Sequence, residues 1–364
     1  MKKMQFLLVE PVSKTPYPPL GLMKISSMLK YHQQGCEVFH TLGNNVPQGV
    51  YEPKTIYITS LFTWDVDKVV ESILYYKRKF PQSRIRVGGV AASLIPNYIH
   101  AKTGVKSHIG LLKTAEPFAP DYSMNFGRKM NSSISFTSRG CVRSCKFCNV
   151  KTLEPDFFAK NNWERDIDEN LPAITFWDNN WLASPNIEED CEKLNRIGKR
   201  VDFNQGLDAR LFDNDRATLL SKINLDPVRF AFDSIIYEES VINAIRLAKK
   251  HFTSEIRVYV LYNFTDTPED FFHRIDLLNR EGVLSFPMEY REASPSQTKF
   301  PGKHWNTQIL RALKLSLMFY YRRGMITKSR NSFMSFFGRT PKQFIDKLYE
   351  VYRYDKDCRK KSVI

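Results

Sequence analysis

The chain has 364 residues, of which 42% are hydrophobic and 26% are charged, and its formal net charge is +15. This length accommodates two domains, or one large domain with additions, and the apolar content is ordinary for a globular protein. No run approaches the ~20 apolar residues that a membrane span requires, so we expect no membrane contact. The short apolar run after Met1 is interrupted at Glu10-Pro11. We therefore interpret it as a first β-strand of a cytoplasmic protein and not as a signal peptide.

Residues 1–114 alternate short apolar runs with amphipathic stretches, which is typical of βαβ units and a parallel sheet. We predict a parallel-sheet α/β domain here, which the resemblance described below implies to be Rossmann-like. The predicted strands are Gln5–Val9, Glu37–His40, Thr55–Leu61 and Arg84–Val87, and the predicted helices are Gly21–His32 and Asp65–Lys79. Residues 115–132 are richer in Pro, Ser and Asn, and this composition predicts a linker.

Strand-like segments recur at nearly constant spacing in residues 133–295. The spacings between the last five are 28, 27, 28 and 27 residues, about the length of one βα unit. Six consecutive βα units predict a parallel barrel or partial barrel, in which chemistry lies at the C-terminal ends of the strands. The six segments begin at Ser133, Ala173, Val201, Val228, Ile256 and Val283.

The helices between these strands have readable start and stop signals. Thr267 is predicted as an N-cap, with Pro268 at the first helical position and acidic residues in the first turn. Gly282 is predicted to end that helix. Asn186 is predicted to begin an earlier helix of the same charge polarity, which ends in basic residues.

Three cysteines follow the first of the six strands with the spacing C-x3-C-x2-C: Cys141, Cys145 and Cys148. In a chain without an export signal, such a cluster indicates metal ligation. Three thiolates on one loop can hold three corners of an iron–sulfur cube and leave the fourth iron open, as a catalytic metal requires. The alternative is a zinc site, but zinc usually takes four ligands and no Cys or His follows within forty residues. The remaining cysteines are interpreted as ordinary small residues: Cys36, Cys191 and Cys358.

With Phe147 just before the last cysteine, this loop resembles the signature of the radical S-adenosylmethionine (SAM) superfamily. The resemblance implies a 4Fe–4S cluster on Cys141, Cys145 and Cys148, and SAM chelated by the open iron. It also implies a partial (β/α)6 barrel and reductive cleavage of SAM with a reductant such as flavodoxin or ferredoxin. The predicted reaction modifies an unactivated carbon by hydrogen abstraction or methyl transfer. The substrate class stays open among small molecules, protein side chains and nucleic acids.

Polar residues follow the next three strands, where the resemblance implies contacts with SAM. The first group is expected near the amino group of SAM, and the last near its ribose. The alternative is that Asp and Asn only begin the following helices as N-caps. The candidates are Asp178, Asn179 and Asn180 after the second strand, Asn204, Gln205, Asp208 and Arg210 after the third, and Asp233 and Ser234 after the fourth.

The N-terminal residues resemble the branch of the superfamily that has a cobalamin-binding-like domain ahead of its barrel. The matching segments are Tyr17–Leu22, Thr59–Phe62 and Val87–Gly89. Gly88 and Gly89 would allow close backbone approach to a cobalamin. No histidine lies in a D-x-H-x-x-G motif, so cobalamin would bind without a histidine ligand from the protein. A Rossmann-like domain that binds no cobalamin is the alternative.

Residues 296–364 are predicted to form a basic, aromatic-rich helical extension. From Pro301 onward there are 15 Lys and Arg against 4 Asp and Glu. Basic side chains neutralise phosphates and aromatic rings stack on unpaired bases, so this pattern suits contact with RNA or DNA. The alternative is a helical cap whose aromatic residues pack on the barrel. A second hypothesis for the whole chain is therefore a nucleic-acid-binding protein with a structural metal cluster. The residues concerned include Arg322, Arg323, Lys328, Arg330, Phe333, Phe336 and Phe337.

Overall fold

The structure is a computed structural model that describes residues 3–11, 15–295, 300–320, 326 and 328–361. The chain forms two compact units. The first comprises the described residues up to Thr175 and a short segment from Ala293, and the second comprises residues 176–292 and the described residues from 300 onward. Among the described residues, no helix combines the length and apolar character needed to cross a bilayer. The predicted boundaries at residues 114, 132 and 295 stay a prediction.

The first unit begins with a four-stranded parallel sheet in the order β2-β1-β3-β4. Because β1 is central and buried along its whole length, its sequence is almost continuously apolar. The strands and helices predicted from the sequence are confirmed, with ends that differ by no more than two residues. The elements are β1 (Gln5–Glu10), α1 (Leu20–His32), β2 (Glu37–Leu42), β3 (Pro53–Thr59), α2 (Val66–Lys79), β4 (Arg84–Gly88), α3 (Val90–Leu94) and α4 (Pro96–Thr103).

The two faces of this sheet have separate cores, as the alternation of side chains along β1 requires. Leu7 and Val9 pack on one face with α2, and Phe6 and Leu8 pack on the other with α1. The segment predicted as a linker contributes to the second core. Its buried residues there are Ala115, Met124 and Phe126.

The first unit continues with short strands around the cysteine loop. β5 (Ser133–Ser135) is a neighbour of β8 (Ala173–Phe176), and the boundary between the two units falls within β8. β6 (Ser138–Arg139) pairs antiparallel with β7 (Phe158–Ala159). Between these two strands lie the cysteines and the short helix α5 (Val150–Leu153).

The second unit alternates strands and helices as predicted. β10, β11 and β12 form a parallel sheet, and an isolated parallel bridge links Leu207 after β9 to Phe230 of β10. The predicted N-cap at Thr267 is confirmed, and the structure adds a capping box: the Thr267 hydroxyl accepts from the Asp270 N–H at 3.1 Å, and the Asp270 carboxylate accepts from the Thr267 N–H at 3.3 Å. The elements are α6 (Ile187–Ile197), β9 (Arg200–Phe203), α7 (Asn214–Leu220), β10 (Val228–Ala231), α8 (Glu238–His251), β11 (Ile256–Tyr262), α9 (Pro268–Arg280) and β12 (Leu284–Glu289).

Three helices complete the second unit: α10 (Thr307–Tyr320), α11 (Arg330–Phe337) and α12 (Pro341–Lys361). Phe333 and Phe337 of α11 are buried, so the packing alternative holds for these two residues. Arg330 donates from Nε to Asp276 Oδ1 at 2.8 Å. Of the other basic residues predicted to meet phosphates, Lys328 is exposed, whereas Arg322 and Arg323 lie outside the described residues.

Candidate functional site

The base of the cysteine loop is set by Gly140, which follows β6 directly. Its φ of +72° lies in the left-handed region, and a Cβ there would clash with the backbone carbonyl oxygen of Asp156. Only glycine meets both conditions without strain. The backbone at Gly140 therefore packs directly against the backbone at Asp156.

The three cysteines differ in exposure. Cys141 is only 8% exposed, Cys145 is half-buried, and Cys148 is exposed. The backbone N–H of Arg143 donates to Cys141 Sγ at 3.3 Å, and the N–H of Cys148 donates to the Cys145 carbonyl at 3.0 Å. Phe147, between these cysteines, is half-buried. None of the six cysteines is in a disulfide.

No three His, Cys, Asp or Glu side chains among the described residues are grouped so that they could hold a single metal ion. That finding concerns ligation of one ion. In an iron–sulfur cube each cysteine binds a different iron, so the three sulfurs do not converge on one point. The assignment of Cys141, Cys145 and Cys148 as cluster ligands stays a prediction.

A buried group of charged residues lies at the base of the loop. Arg139, 5% exposed, donates to Glu154 Oε1 at 3.1 Å and to Glu116 Oε1 at 2.6 Å, and its guanidinium carbon lies 3.5 Å from the ring centroid of Phe136. Burial alone would raise the pKa of Glu116, but the positive charges of Arg139 and of nearby lysines lower it overall. The fixed cation therefore keeps this carboxylate ionised.

The charged group continues to Asp166, which is fully buried. Lys24 and Lys160 each approach a carboxylate oxygen of Asp166 at 3.4 Å, and Ser135 donates to it at 2.9 Å. Burial lowers the pKa of Lys24 to about 8, against the opposing effect of Asp166. This buried charged group was not predicted from the sequence. The available signal was a lysine among the apolar residues of α1, at a position that helical periodicity assigns to the buried face.

In the second unit, polar residues predicted after two strands meet. Asn180 is 3% exposed and donates from Nδ2 to Asp208 Oδ2 at 3.2 Å. Arg210 donates to both oxygens of the same carboxylate at 2.6 and 3.0 Å, and its guanidinium lies 4.5 Å from the ring of Tyr237. The buried Oδ1 of Asn180 has no hydrogen-bond partner among the described residues. Such a group carries a desolvation cost that a bound donor would relieve.

Asp233, after β10, is a carboxyl group with an altered pKa. Burial raises its pKa to about 6, while Arg274 and Arg210 act in the opposite direction. Arg274 is fully buried and donates to the carbonyls of Phe232 and Leu261 and to Asp266, at 2.7, 2.8 and 2.7 Å. Arg274 was not predicted as a site residue, although its position on the apolar face of α9 is a signal that the sequence contains.

The other predicted residues of the second unit follow the same strands and differ in burial. Asp178 is buried, and Asn179 and Ser234 are half-buried. Asn204 is half-buried, and its carbonyl accepts from the Tyr259 hydroxyl at 2.8 Å. The structure thus brings Asn180, Asp208 and Arg210 together. The charges of Asp208 and Arg210 also affect the pKa of Asp233. Gln205 is exposed.

The predicted glycines of the N-terminal sheet lie at the C-terminal end of β4. Gly89 has a φ of +105°, and a Cβ there would clash with the Ser60 carbonyl, so its close neighbour is Ser60 after β3. Gly88 is less restricted, since a Cβ would make only ordinary contact with His108. Ser60 is 1% exposed, and its Oγ has no hydrogen-bond partner among the described residues. The adjacent Leu61 is an exposed apolar residue.

The chain is similar to known proteins in structure but not in sequence. No protein-family model matches the sequence, and no curated protein matches it. The chain is similar in structure to TsrM from Kitasatospora setae, a radical S-adenosylmethionine methyltransferase solved with cobalamin and a [4Fe–4S] cluster bound. The TM-score is 0.64 at 13% identity, over 81% of this chain and 74% of TsrM.

A second solved structure, coproporphyrinogen III oxidase (HemN) from Escherichia coli, is a radical SAM enzyme. It aligns over 33% of this chain and 32% of its own, at 10% identity and a TM-score of 0.27, which is too low to support an inference. The likeness to TsrM establishes the fold of this chain as the same mixed α/β arrangement with parallel sheets. The predicted fold class is confirmed at that level, whereas the partial barrel stays a prediction.

Proposed function

We propose that this chain is a radical SAM enzyme of the branch with a cobalamin-binding-like N-terminal domain, and that it transfers a methyl group to an unactivated carbon. The observation that carries the proposal is a C-x3-C-x2-C loop in a chain that folds like TsrM over four fifths of its length. Methyl transfer is favoured over hydrogen abstraction alone because TsrM is a methyltransferase.

The donor set fits a 4Fe–4S cluster with one iron left for SAM. Three thiols lie on one loop, Cys148 at its end is exposed, and a backbone N–H already donates to the sulfur of Cys141. The thiolate is the form of cysteine that ligates iron. When bound, the cluster supplies the electron for reductive cleavage of SAM. We propose Phe147 as part of the same site, next to Cys148.

The N-terminal sheet fits a cobalamin at its C-terminal edge. In a doubly wound sheet, ligands bind where the connections switch direction. With the order β2-β1-β3-β4, this point lies between the ends of β1 and β3. The unpaired Oγ of Ser60 and the exposed Leu61 follow β3 there. Gly88 and Gly89 keep the adjacent β4 end free of side chains, so we propose that cobalamin binds here without a histidine ligand.

The polar residues that follow β8, β9 and β10 are the candidates for contact with SAM, because each lies at the end of a strand. We propose that the unpaired Asn180 Oδ1, with Asp178 and Asn179, accepts hydrogen bonds from the amino group of SAM. The Asp208 carboxylate orients the Arg210 guanidinium. We propose Asn204 and Gln205, which follow β9, as further contacts with SAM. Asp233 is largely ionised at pH 7 with its pKa of about 6, so with Ser234 it accepts hydrogen bonds from the ribose hydroxyls.

A reductant such as flavodoxin or ferredoxin would supply the electron, which agrees with a cytoplasmic enzyme. No observation favours a nucleic acid as partner or substrate. Among the aromatic residues predicted to stack on bases, Phe333 and Phe337 are buried. Among the basic residues predicted to contact phosphates, Arg330 forms an ion pair with Asp276.

The test is anaerobic reconstitution with iron, sulfide and hydroxocobalamin, followed by SAM and dithionite. S-adenosylhomocysteine in the products, with a corrin spectrum that survives desalting, is the expected result. Cys148→Ala should give neither S-adenosylhomocysteine nor 5′-deoxyadenosine, whereas Cys358→Ala, at an exposed position on α12, should behave like the wild type. If 5′-deoxyadenosine is formed without S-adenosylhomocysteine, the reaction is hydrogen abstraction and not methyl transfer. Protein that takes up no cluster would contradict the proposal.

A further inference from the structure

Two carboxylates share the guanidinium of Arg139, but only one of them also touches the cysteine loop. Glu154 accepts from Arg139 Nη1 at 3.1 Å through Oε1, and from the backbone N–H of Gly140 at 2.8 Å through Oε2. Glu116 accepts from Arg139 Nη2 at 2.6 Å. The Glu154 carboxylate therefore binds two successive residues at the start of the loop, namely the side chain of Arg139 and the backbone N–H of Gly140.

This bridge acts on a backbone that has little freedom. Gly140 is already restricted by its left-handed φ and by the Asp156 carbonyl, and its N–H is a donor that must be satisfied where it is buried. A charged acceptor makes a stronger bond than a neutral one. Because Gly140 immediately precedes Cys141, the direction of the Gly140 peptide determines where the Cys141 side chain begins.

The other end of the bridge is anchored in the interior of the first unit. Arg139 stacks on Phe136 and lies within the buried charged group that includes Lys160 and Asp166. Its backbone pairs with Phe158 in the β6–β7 ladder. Glu154 thus connects a fixed guanidinium to the peptide next to the most buried of the three cysteines.

We propose that Glu154 is a positioning residue for Cys141. It fixes the Gly140–Cys141 peptide so that the Cys141 sulfur is held in its ligating position before the cluster binds, while Cys145 and Cys148 are left more exposed. The inference rests on the proposed function in one respect, which is that Cys141 is a cluster ligand. The competing explanation is that Glu154 only balances the buried charge of Arg139.

Glu116 separates these two explanations, because it balances the same guanidinium without bonding Gly140. The experiment compares the wild type with Glu154→Gln and Glu116→Gln, first as metal-free reduced protein. The rate of N-ethylmaleimide labelling is measured for each cysteine by peptide mass spectrometry. Cys36, half-buried in the first unit, reports loosening of the whole unit.

If Glu154 positions Cys141, Glu154→Gln labels Cys141 about tenfold faster, as expected for the loss of a charge-assisted hydrogen bond. Glu116→Gln changes the rate less than twofold, and Cys36 and Cys148 are unchanged in both variants. Equal acceleration of Cys141 by both variants, or no acceleration by Glu154→Gln, would overturn the proposal. If Glu154→Gln fails to fold, Glu154→Asp takes its place. Asp keeps the charge but is too short to span both donors, so a normal Cys141 rate in that variant counts against positioning.

The cluster-loaded proteins provide the second measurement, which is the rate of iron loss to a ferrous chelator under anaerobic conditions. Partners that orient a metal ligand typically contribute 10–100-fold to metal affinity. We expect loss at least ~10-fold faster from Glu154→Gln than from Glu116→Gln. Wild-type protein that takes up no cluster would contradict the proposed function, and the labelling rates would still decide the role of Glu154. Normal cluster uptake with equal rates in all variants would overturn the role of Glu154 alone.

Discussion

The base of the cysteine loop and the aromatic cluster of α9, α11 and α12 are held by opposite kinds of interaction. At the loop base, buried charges meet at 2.6 to 3.4 Å in directional contacts. In the aromatic cluster, Phe333 and Phe337 lie 5.1 Å apart between ring centroids, and Phe337 lies 5.5 Å from Phe344. The charged contacts at the loop base hold side chains in one orientation, whereas the aromatic contacts mainly fill the space between helices.

The two arrangements respond differently to substitution and to pH. A buried charge that loses its partner is strongly destabilising, because the remaining charge is left desolvated. A buried ring that is truncated leaves a cavity, whose effect is independent of pH. A site that must hold a reactive group in one orientation benefits from the first kind of contact. A helical extension that completes a core needs only the second.

The largest expected effect is in the aromatic cluster. Phe337→Ala should lower the free energy of unfolding by about 4 kcal/mol, since the ring is 1% exposed and its removal leaves a cavity. Urea denaturation measures this change. Met318→Ala on α10, where the side chain is 69% exposed, is the control and should change stability by less than about 0.5 kcal/mol. Equal small effects would mean that α11 presents Phe337 at a surface, as a nucleic-acid contact would require.

The next effect is at the loop base. Asp166→Asn should destabilise the protein by about 3 kcal/mol, because Lys24 and Lys160 lose the carboxylate that offsets their buried charge. Asp156→Asn removes an exposed carboxylate from the same unit and should have little effect. Thermal and urea unfolding at pH 7 measure both variants. A neutral result for Asp166→Asn would show that these charges are well solvated and that the loop base is not a buried polar group.

The smallest expected effect is a pH dependence that distinguishes the loop base from the aromatic cluster. Lys24 has a folded-state pKa of about 8, below the ordinary 10.5, so folding is penalised while the amine is charged. That penalty is complete below pH 8 and is lost as pH rises toward 10.5. Relative to Lys24→Met, the wild type should gain about 2 kcal/mol between pH 8 and pH 10. The pH profile of Phe337→Ala should instead run parallel to that of the wild type, and parallel profiles for Lys24→Met would contradict the assignment.

Features that depend on neighbours in the sequence were predictable. The strands and helices around the N-terminal sheet, and the N-cap at Thr267, follow from short patterns whose physical basis is local. The cysteine loop belongs to the same class, because its spacing and Gly140 lie within nine residues of chain. Such features are determined mainly by interactions between residues that are close together in the sequence.

Features that depend on distant partners were not predictable in this way. Lys24 is buried because Asp166, 142 residues later, accepts its charge. Phe337 looked like a surface ring because basic residues surround it in sequence, whereas Phe344 and Phe333 cover it in the fold. The polar composition of residues 115–132 likewise predicts a linker, whereas Ala115, Met124 and Phe126 pack against the N-terminal sheet and α1. In each case burial is decided by a pairing that local composition does not reveal.

Metal analysis after anaerobic reconstitution shows whether Cys141, Cys145 and Cys148 hold a 4Fe–4S cluster. We expect about four irons and four sulfides per chain, and loss of the cluster in Cys141→Ala, Cys145→Ala and Cys148→Ala. Cys36→Ala and Cys358→Ala should keep the full iron content, since neither cysteine lies in the loop. Stoichiometric zinc without iron, or a full iron content in any of the three loop variants, would contradict a cluster on these three cysteines.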